Sequence, residues 1–357
     1  MRKMKNILYL SNIEVPYRVK FFNELSKYCN LTVVYERKRS SNRDATWANS
    51  QTQNYKVEYL NGINIKNENT FSFKILKYVL SKKKYDAIII GCYNSFVQMF
   101  AILMMKLFRV PYIINLDGEL FLGKKGIKNK IKKFFLKGAK KYLIAGEKSA
   151  TALRQIILEK EIISYGFSSL TIAEIDKNSQ IKEERTNNIL VVGQYFDYKG
   201  MDIALKVARK NREFNYKFVG MGNRSELFKK EQNIDDENIE IIPFLQKEDL
   251  EREMAKSVML VLPSRQECWG LTINEAASFG TPIVSTYGSG AGVEFLSDKY
   301  PQYLATPSNV ESLYSCIENL MFDKEKDEYS KYLINKSKEY SIEKSVESHL
   351  IACEIDV

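Results

Sequence analysis

Residues 259–286 read Met-Leu-Val-Leu-Pro-Ser-Arg-Gln-Glu-Cys-Trp-Gly-Leu-Thr-Ile-Asn-Glu-Ala-Ala-Ser-Phe-Gly-Thr-Pro-Ile-Val-Ser-Thr. A continuous apolar run at 259–262 and the β-branched segment Ile-Val-Ser-Thr at 283–286 flank a stretch of helical composition at 271–279. Gly270 punctuates its start, and Gly280-Thr281-Pro282 its end. Apolar runs without alternation mark strands covered on both faces, which are parallel strands joined by helical crossovers. The stretch therefore predicts one strand–helix–strand unit of a parallel sheet.

Outward from it the same alternation repeats. Upstream come strand 188–192, helix 200–210, strand 217–219, helix 224–231, strand 239–242 and helix 247–255, a doubly wound unit whose ligands belong at the C-terminal ends of its strands. The first half alternates in the same way: strand 6–10, helix 18–29, strand 31–35, helix 71–80, strand 87–90, helix 96–108, strand 112–116, helix 128–140 and strand 142–145. A polar stretch at 175–188 reads as the linker between halves, and the residues from 329 onward read as helical with no strand after them. At 357 residues the chain exceeds one ordinary core, since domains cluster near roughly 100–150 residues. The expected division is 1–170 with a C-terminal helix at 335–357, and 171–334.

Composition excludes several classes. With 45% hydrophobic and 27% charged residues the chain is a folded globular protein. Its apolar helical stretch at 96–108 is shorter than the about 20 residues of a membrane span. The five cysteines are scattered, without C-x-x-C, which suggests neither a disulfide framework nor zinc and fits a reducing cytoplasm. Charge is uneven: residues 1–180 hold 32 Lys+Arg against 14 Asp+Glu, and the remainder 22 against 30, so a basic half (+18) precedes an acidic one (−8).

The turn at 263–271 carries the chemistry. Glu267 stands eight residues before Glu275, with Gly270 between them at a strand-to-helix junction. Glycine there lets backbone approach a ligand, and the amides of Leu271 and Thr272 open a helix whose positive end suits a phosphate. Glu275 has two oxygens suited to the paired hydroxyls of a ribose, and Glu267 lies toward a sugar. Acidic residues are also favoured near helix starts without any ligand.

The run Glu267-x7-Glu275, with Gly270 inside it and Gly280-Thr281-Pro282 after it, resembles the donor-site motif of retaining glycosyltransferases of the large family called GT4. The resemblance implies a GT-B fold: α/β, two Rossmann-like doubly wound domains facing across a cleft, the C-terminal helix packing back on the first. It implies that Glu267 contacts the transferred sugar, that Glu275 binds the ribose, and that the turn amides hold the diphosphate of a nucleotide-sugar, UDP-sugar favoured. Gly193-Gln194 with Lys199 resembles the segment whose basic pair neutralises that diphosphate. Gln194 stands where an arginine is usual, which shifts the burden to Lys199 and Arg265. Gly220 and Gly222 resemble a G-x-G turn beside the nucleotide, and Leu245 the segment against the base. The glycines at 288, 290 and 292 depart from a dinucleotide fingerprint, since the third comes early. They read as a flexible loop by the donor sugar, with Gly290 approaching closest.

In the first half the resemblance is weaker. The loop after the first strand lacks the family's glycines, leaving Asn12 as a polar substitute. The histidine expected after the strand at 112–116 is absent, because the chain's single histidine is His349. Asp117 and Glu119 occupy that strand end, and Asp117 is the candidate for contacting the sugar or orienting the acceptor.

No two aspartates lie two positions apart, so the D-x-D route to a divalent cation is missing and the expectation is chemistry without metal or other cofactor. Residues 124–141 place nine lysines around Ile127, Ile131, Phe134, Phe135 and Leu136. Such a helix either docks on its own sheet with a solvated basic face or lies on an anionic membrane surface. A lipid-linked or other saccharide acceptor, as in surface polysaccharide synthesis, follows from the resemblance. Two rival readings are a nucleotide-sugar epimerase on the same scaffold, disfavoured by the shortage of histidine, and a nucleic-acid binder, for which no recognisable module exists.

Overall fold

The computed structural model describes residues 4–38, 52–66, 69–81, 84–93, 95–118, 127–157 and 160–356. The chain divides into two compact units: Met1–Ser169 with Ile342–Val357, and Leu170–Ser341.

Unit 1 runs β1 (Asn6–Ile13), α1 (Pro16–Leu25), β2 (Asn30–Arg37), β3 (Lys56–Tyr59), β4 (Ile63–Lys66), β5 (Asn69–Phe71), α2 (Leu76–Val79), β6 (Ala87–Ile90), α3 (Phe96–Leu107), β7 (Ile113–Leu116), α4 (Ile127–Leu136), β8 (Lys141–Ala145), α5 (Glu147–Arg154) and β9 (Glu161–Tyr165). Seven strands form one parallel sheet in the order β3-β2-β1-β6-β7-β8-β9, and β4–β5 form a separate antiparallel pair. The sheet centre is apolar as the continuous runs require, with Leu8, Ile89, Ile90, Ile114 and Ile144 fully buried. The order reverses between β1 and β6, which opens a crevice at their C-terminal ends.

Unit 2 runs α6 (Ile172–Ser179), β10 (Asn188–Val192), α7 (Met201–Lys210), β11 (Asn215–Val219), α8 (Ser225–Gln232), β12 (Ile239–Ile242), α9 (Lys247–Lys256), β13 (Met259–Val261), α10 (Leu271–Ser278), β14 (Ile283–Thr286), α11 (Gly290–Leu296), β15 (Leu304–Ala305), α12 (Val310–Met321) and α13 (Lys326–Glu339). Its six parallel strands lie in the order β12-β11-β10-β13-β14-β15, with the reversal between β10 and β13. The last helix, α14 (Ile342–Ala352), belongs to unit 1 and packs on α1, β8 and β9.

Three expectations are corrected. The linker at 175–188 begins as helix: Thr171 and Glu174 make a reciprocal capping box, and α6 buries Ile175 and Asn178 in unit 2, leaving irregular chain from Gln180 to the strand. The helix at 71–80 is a strand end, a 3₁₀ turn at Phe73–Ile75 and the single turn of α2. The glycine-rich loop at 288–292 is the start of α11, capped by the Ser289 hydroxyl accepting from the Gly292 amide at 3.1 Å.

Candidate functional site

In unit 2 the reversal of strand order brings the loops after β10 and β13 side by side, and Lys199 and Glu267 meet there. Lys199 ends a 3₁₀ turn at Asp197–Lys199, and its Nζ lies 2.7 and 2.5 Å from the two Glu267 carboxylate oxygens. The Ser264 hydroxyl donates to the same carboxylate at 3.1 Å. Both members of the pair are mostly buried, with side chains 19% and 16% exposed, so the ion pair is screened less than a surface one.

The backbone around Glu267 is clamped. Its amide donates to the Gly288 carbonyl at 2.8 Å, and its carbonyl accepts from the Gly290 amide at 3.1 Å. A Cβ on Gly290 would lie 2.3 Å from the Cys268 carbonyl oxygen, so the closest approach of this glycine is to the turn itself. Gly290 thereby fixes the height of the 267–270 turn. Gly270 takes φ of 109° and begins α10 without supplying a capping oxygen, and no acidic residue sits in the first turn of the helix. The amides of Leu271 and Thr272 therefore start a helix whose positive end has no negative side chain of its own. Glu275 sits half-buried one turn further in.

The remaining expected residues fall around this turn or support it. Gly193 and Gly220 face each other at the ends of β10 and β11, a Cβ on Gly220 lying 3.7 Å from the Gly193 amide nitrogen. Gly222 follows, its amide donating to the Pro243 carbonyl at 2.7 Å, which draws the β12 end and half-buried Leu245 toward the same rim. Gln194, also half-buried, follows Gly193. Arg265 is engaged by partners of its own unit. Its guanidinium makes a two-pronged contact with Asp202 at 2.8 and 2.7 Å and donates to the Asp197 carbonyl at 2.6 Å. The Asp202 hydrogen bond raises the Arg265 pKa, and Arg265 in turn lowers that of Asp202 against the effect of burial. Arg265 holds the Lys199 loop in place, and its charge is already matched.

In unit 1, Asp117 follows β7 and anchors a buried polar cluster. One carboxylate oxygen pairs with Arg18, and the other accepts from Asn115 Nδ2 at 2.9 Å and from the Tyr165 hydroxyl at 3.0 Å. Arg18 is 7% exposed. Burial opposes its charge, while Asp117, Tyr9 and Tyr165 together hold it protonated. Asn12 is exposed and turns its side-chain oxygen back to the Ile13 amide at 2.8 Å. Glu119 lies outside the described residues.

His349, placed in the tail by sequence alone, is fully buried in this cluster. Its Nε2 is 3.1 Å from Asn115 Oδ1 and its Nδ1 is 2.7 Å from the Ser345 carbonyl, two acceptors of which the neutral ring can donate to one. Sequence reasoning missed Arg18, Asn115, Tyr165 and His349. The available signal was Asn115, a polar residue inside an apolar strand. Burial lowers the His349 pKa to about 4, Arg18 adding to the effect and Asp117 opposing it. Unfolded, the ring titrates near 6.5, so the unfolded chain binds the extra proton between the two values. Stability from this group is complete above about 6.5 and is lost as pH falls toward 4, by roughly 3 kcal/mol. Hydrogen exchange of β7 and α14 at pH 7 and pH 4.5 should show that loss in the wild type and a much smaller one in His349→Gln. Equal losses in the two proteins would refute it.

Among the described residues, no group of three or more His, Cys, Asp or Glu is placed to hold a metal ion, and no helix is long and apolar enough to cross a membrane.

With this geometry in view, known proteins supply the class. Residues 172–340, nearly all of unit 2, match the family described as glycosyl transferases group 1. An uncharacterized glycosyltransferase of Methanocaldococcus jannaschii is 28% identical over 281 residues, 76% of this chain and 74% of that protein. Another from Haemophilus influenzae is 32% identical over 184 residues, 48% and 50% of the two chains. Among solved structures, Anabaena HepE in complex with UDP and glucose aligns with TM-score 0.72 and 15% identity over 98% of this chain and 99% of that one. Sucrose-phosphate synthase of Thermosynechococcus elongatus aligns with TM-score 0.71 and 14% identity over 98% of each. The two parallel-sheet units are the Rossmann-like domains of a GT-B fold. Unit 2 thus carries a group 1 glycosyltransferase domain, and the chain is similar to proteins named as glycosyltransferases.

Proposed function

We propose that this enzyme moves a hexose or N-acetylhexosamine from a nucleoside-diphosphate sugar, UDP-sugar favoured, to a saccharide or lipid-linked saccharide in surface polysaccharide synthesis, with retention at the anomeric carbon and without a metal. The observation that carries the reading is the Lys199–Glu267 pair set against the uncapped start of α10. Transfer breaks the bond between the anomeric carbon and the diphosphate oxygen and forms one to the acceptor oxygen. Negative charge gathers on the departing diphosphate, where Lys199 and the Leu271 and Thr272 amides would stabilise it. Glu267 would lie by the sugar, a role that its contact with Lys199 supports. Glu275 would hold the ribose, and Gly193, Gly220, Gly222 and Leu245 would bound the nucleotide. Attack on the face the leaving group departs from lets its phosphate oxygen take the acceptor hydroxyl's proton, so no separate base is required. UDP is favoured because HepE, of like fold, was solved with UDP and glucose. In unit 1, Asp117 would orient sugar or acceptor, with Asn12 and Glu119 on the acceptor side. A cytoplasmic protein held at an anionic membrane by the basic stretch 124–141 would meet a lipid-linked acceptor directly.

Thermal unfolding with UDP, GDP and ADP in turn tests the donor. A nucleotide at 100 times its Kd adds about 2.7 kcal/mol to the state that binds it. UDP should raise the midpoint most, and Glu275→Ala should remove most of that rise. No response to any of the three nucleotides would refute the site.

A further inference from the structure

Helix α3 is apolar on both faces, burying Val97, Ala101, Ile102 and Met105. Of its 12 residues only Gln98 and Lys106 are polar, and Gln98 points inward: it is 1% exposed and donates to Glu36 Oε1 at 2.7 Å. The outward side instead carries Phe96, Leu103 and Leu107, which are 46%, 42% and 67% exposed. A helix on the surface of a water-soluble unit ordinarily shows its polar residues to solvent.

The apolar surface continues on both sides. Phe73, 69% exposed, packs edge-on against Phe100 of α3 at 5.7 Å. On the other side α4 exposes Ile131 and Phe134, and Lys106 Nζ sits 4.1 Å above the Phe134 ring. Contiguous exposed apolar surface of this kind marks an interaction site. Its charge identifies the partner: Lys130, Lys133 and Lys137 are exposed beside it, and no acidic residue occurs in α3 or between residues 120 and 146. A second copy of the chain would bring like charges together across the contact.

We infer that this face of unit 1 docks on an anionic lipid bilayer, with the Phe96–Leu103–Leu107 ridge of α3 inserted at the interface and the α4 lysines on the headgroups. The inference deepens the membrane reading given above, from basic residues resting on a surface to an apolar ridge entering it. It does not depend on the donor site. Insertion predicts binding that salt weakens without abolishing, because apolar burial is not screened.

The test is co-sedimentation of the full chain with vesicles of phosphatidylcholine alone or mixed with phosphatidylglycerol, at about 0.1 M and about 1 M salt. The wild type should bind the mixed vesicles at both salts. Leu103→Glu/Leu107→Glu should bind about 10-fold or more weakly at both, and Lys130→Gln/Lys133→Gln/Lys137→Gln should lose the preference for anionic lipid. Leu107→Trp should gain a blue-shifted emission on vesicles beyond any shift of the wild type. Circular dichroism and the UDP thermal response, unchanged in every variant, separate a failed docking face from a failed fold or donor site. The inference is overturned if the wild type ignores vesicles, if the double Glu variant binds as well as the wild type, or if Leu107→Trp shows no added shift. A wild-type dimer that the double Glu variant abolishes, without vesicle binding, would assign the face to self-association and overturn it too.

Discussion

Lys199→Ala is expected to lower sugar transfer by about 10²–10³-fold, the effect of removing one preorganised donor from a developing oxyanion. Unit 2 should stay folded, because Arg265 still joins the loop after β13 to the Asp197 carbonyl and to Asp202 of α7 when the Lys199–Glu267 contact is lost. The companion variant has a different signature. Glu267→Ala removes a carboxylate whose oxygens stand 2.7 and 2.5 Å from the lysine amine, freeing that amine for a diphosphate. UDP should then bind as tightly as before or more tightly, while transfer falls. Calorimetric titration with UDP alongside a transfer assay separates the two effects. Near-normal transfer by Lys199→Ala, or a marked loss of UDP binding in Glu267→Ala, would contradict these roles.

Asp117→Ala should cost unit 1 about 2–4 kcal/mol. Breaking a fully buried ion pair costs roughly 3–5 kcal/mol because the survivor is left uncompensated. The Asp117 side chain is 35% exposed, which places the cost toward the lower part of that range, yet Arg18 remains buried in either case. Transfer should fall by about 10²-fold or more if the carboxylate also touches sugar or acceptor. Arg18→Met/Asp117→Leu tells the two effects apart: apolar replacement of both partners should recover most of the stability, as seen from urea unfolding, and none of the transfer. Recovery of both would reduce Asp117 to a structural residue.

Much of unit 2 was legible in the sequence because its strands are rich in apolar residues and regularly spaced between helices bounded by Gly, Ser and Asn. Strands β10 to β14 and the helices between them stand close to where periodicity places them. Helix α6 escaped notice because only one face of a short polar segment is apolar. Helix α11 escaped because its glycines read as loop residues, whereas Gly290 is required by the Cys268 carbonyl 2.3 Å from where a Cβ would stand. Strand β9 went unread for a third reason: its Glu and Ser interrupt the apolar run that marks a covered strand.

The candidate site divides in the same way. Glu267, Gly270 and Glu275 could be named from one linear motif, and Lys199 from a second at 193–199, because each loop is short and local spacing fixes its surroundings. The Arg265 contact with Asp202 spans 63 positions, and His349 meets Asn115 across 234. No spacing rule reaches so far, and a lone histidine near the C-terminus looks like any other surface residue until α14 is seen against β8 and β9.

That placement of α14 sets an order of assembly. Unit 2 is continuous and can finish folding as soon as its last residue leaves the ribosome, whereas the first half of the chain must wait for its final helix. Until Ile342–Ala352 arrives, Asn115, Tyr9 and Phe21 lack the imidazole that covers them. The domain made first is thus completed last, and a nascent chain stalled anywhere in unit 2 carries a complete sheet with part of its apolar cover missing, a surface that chaperones would recognise.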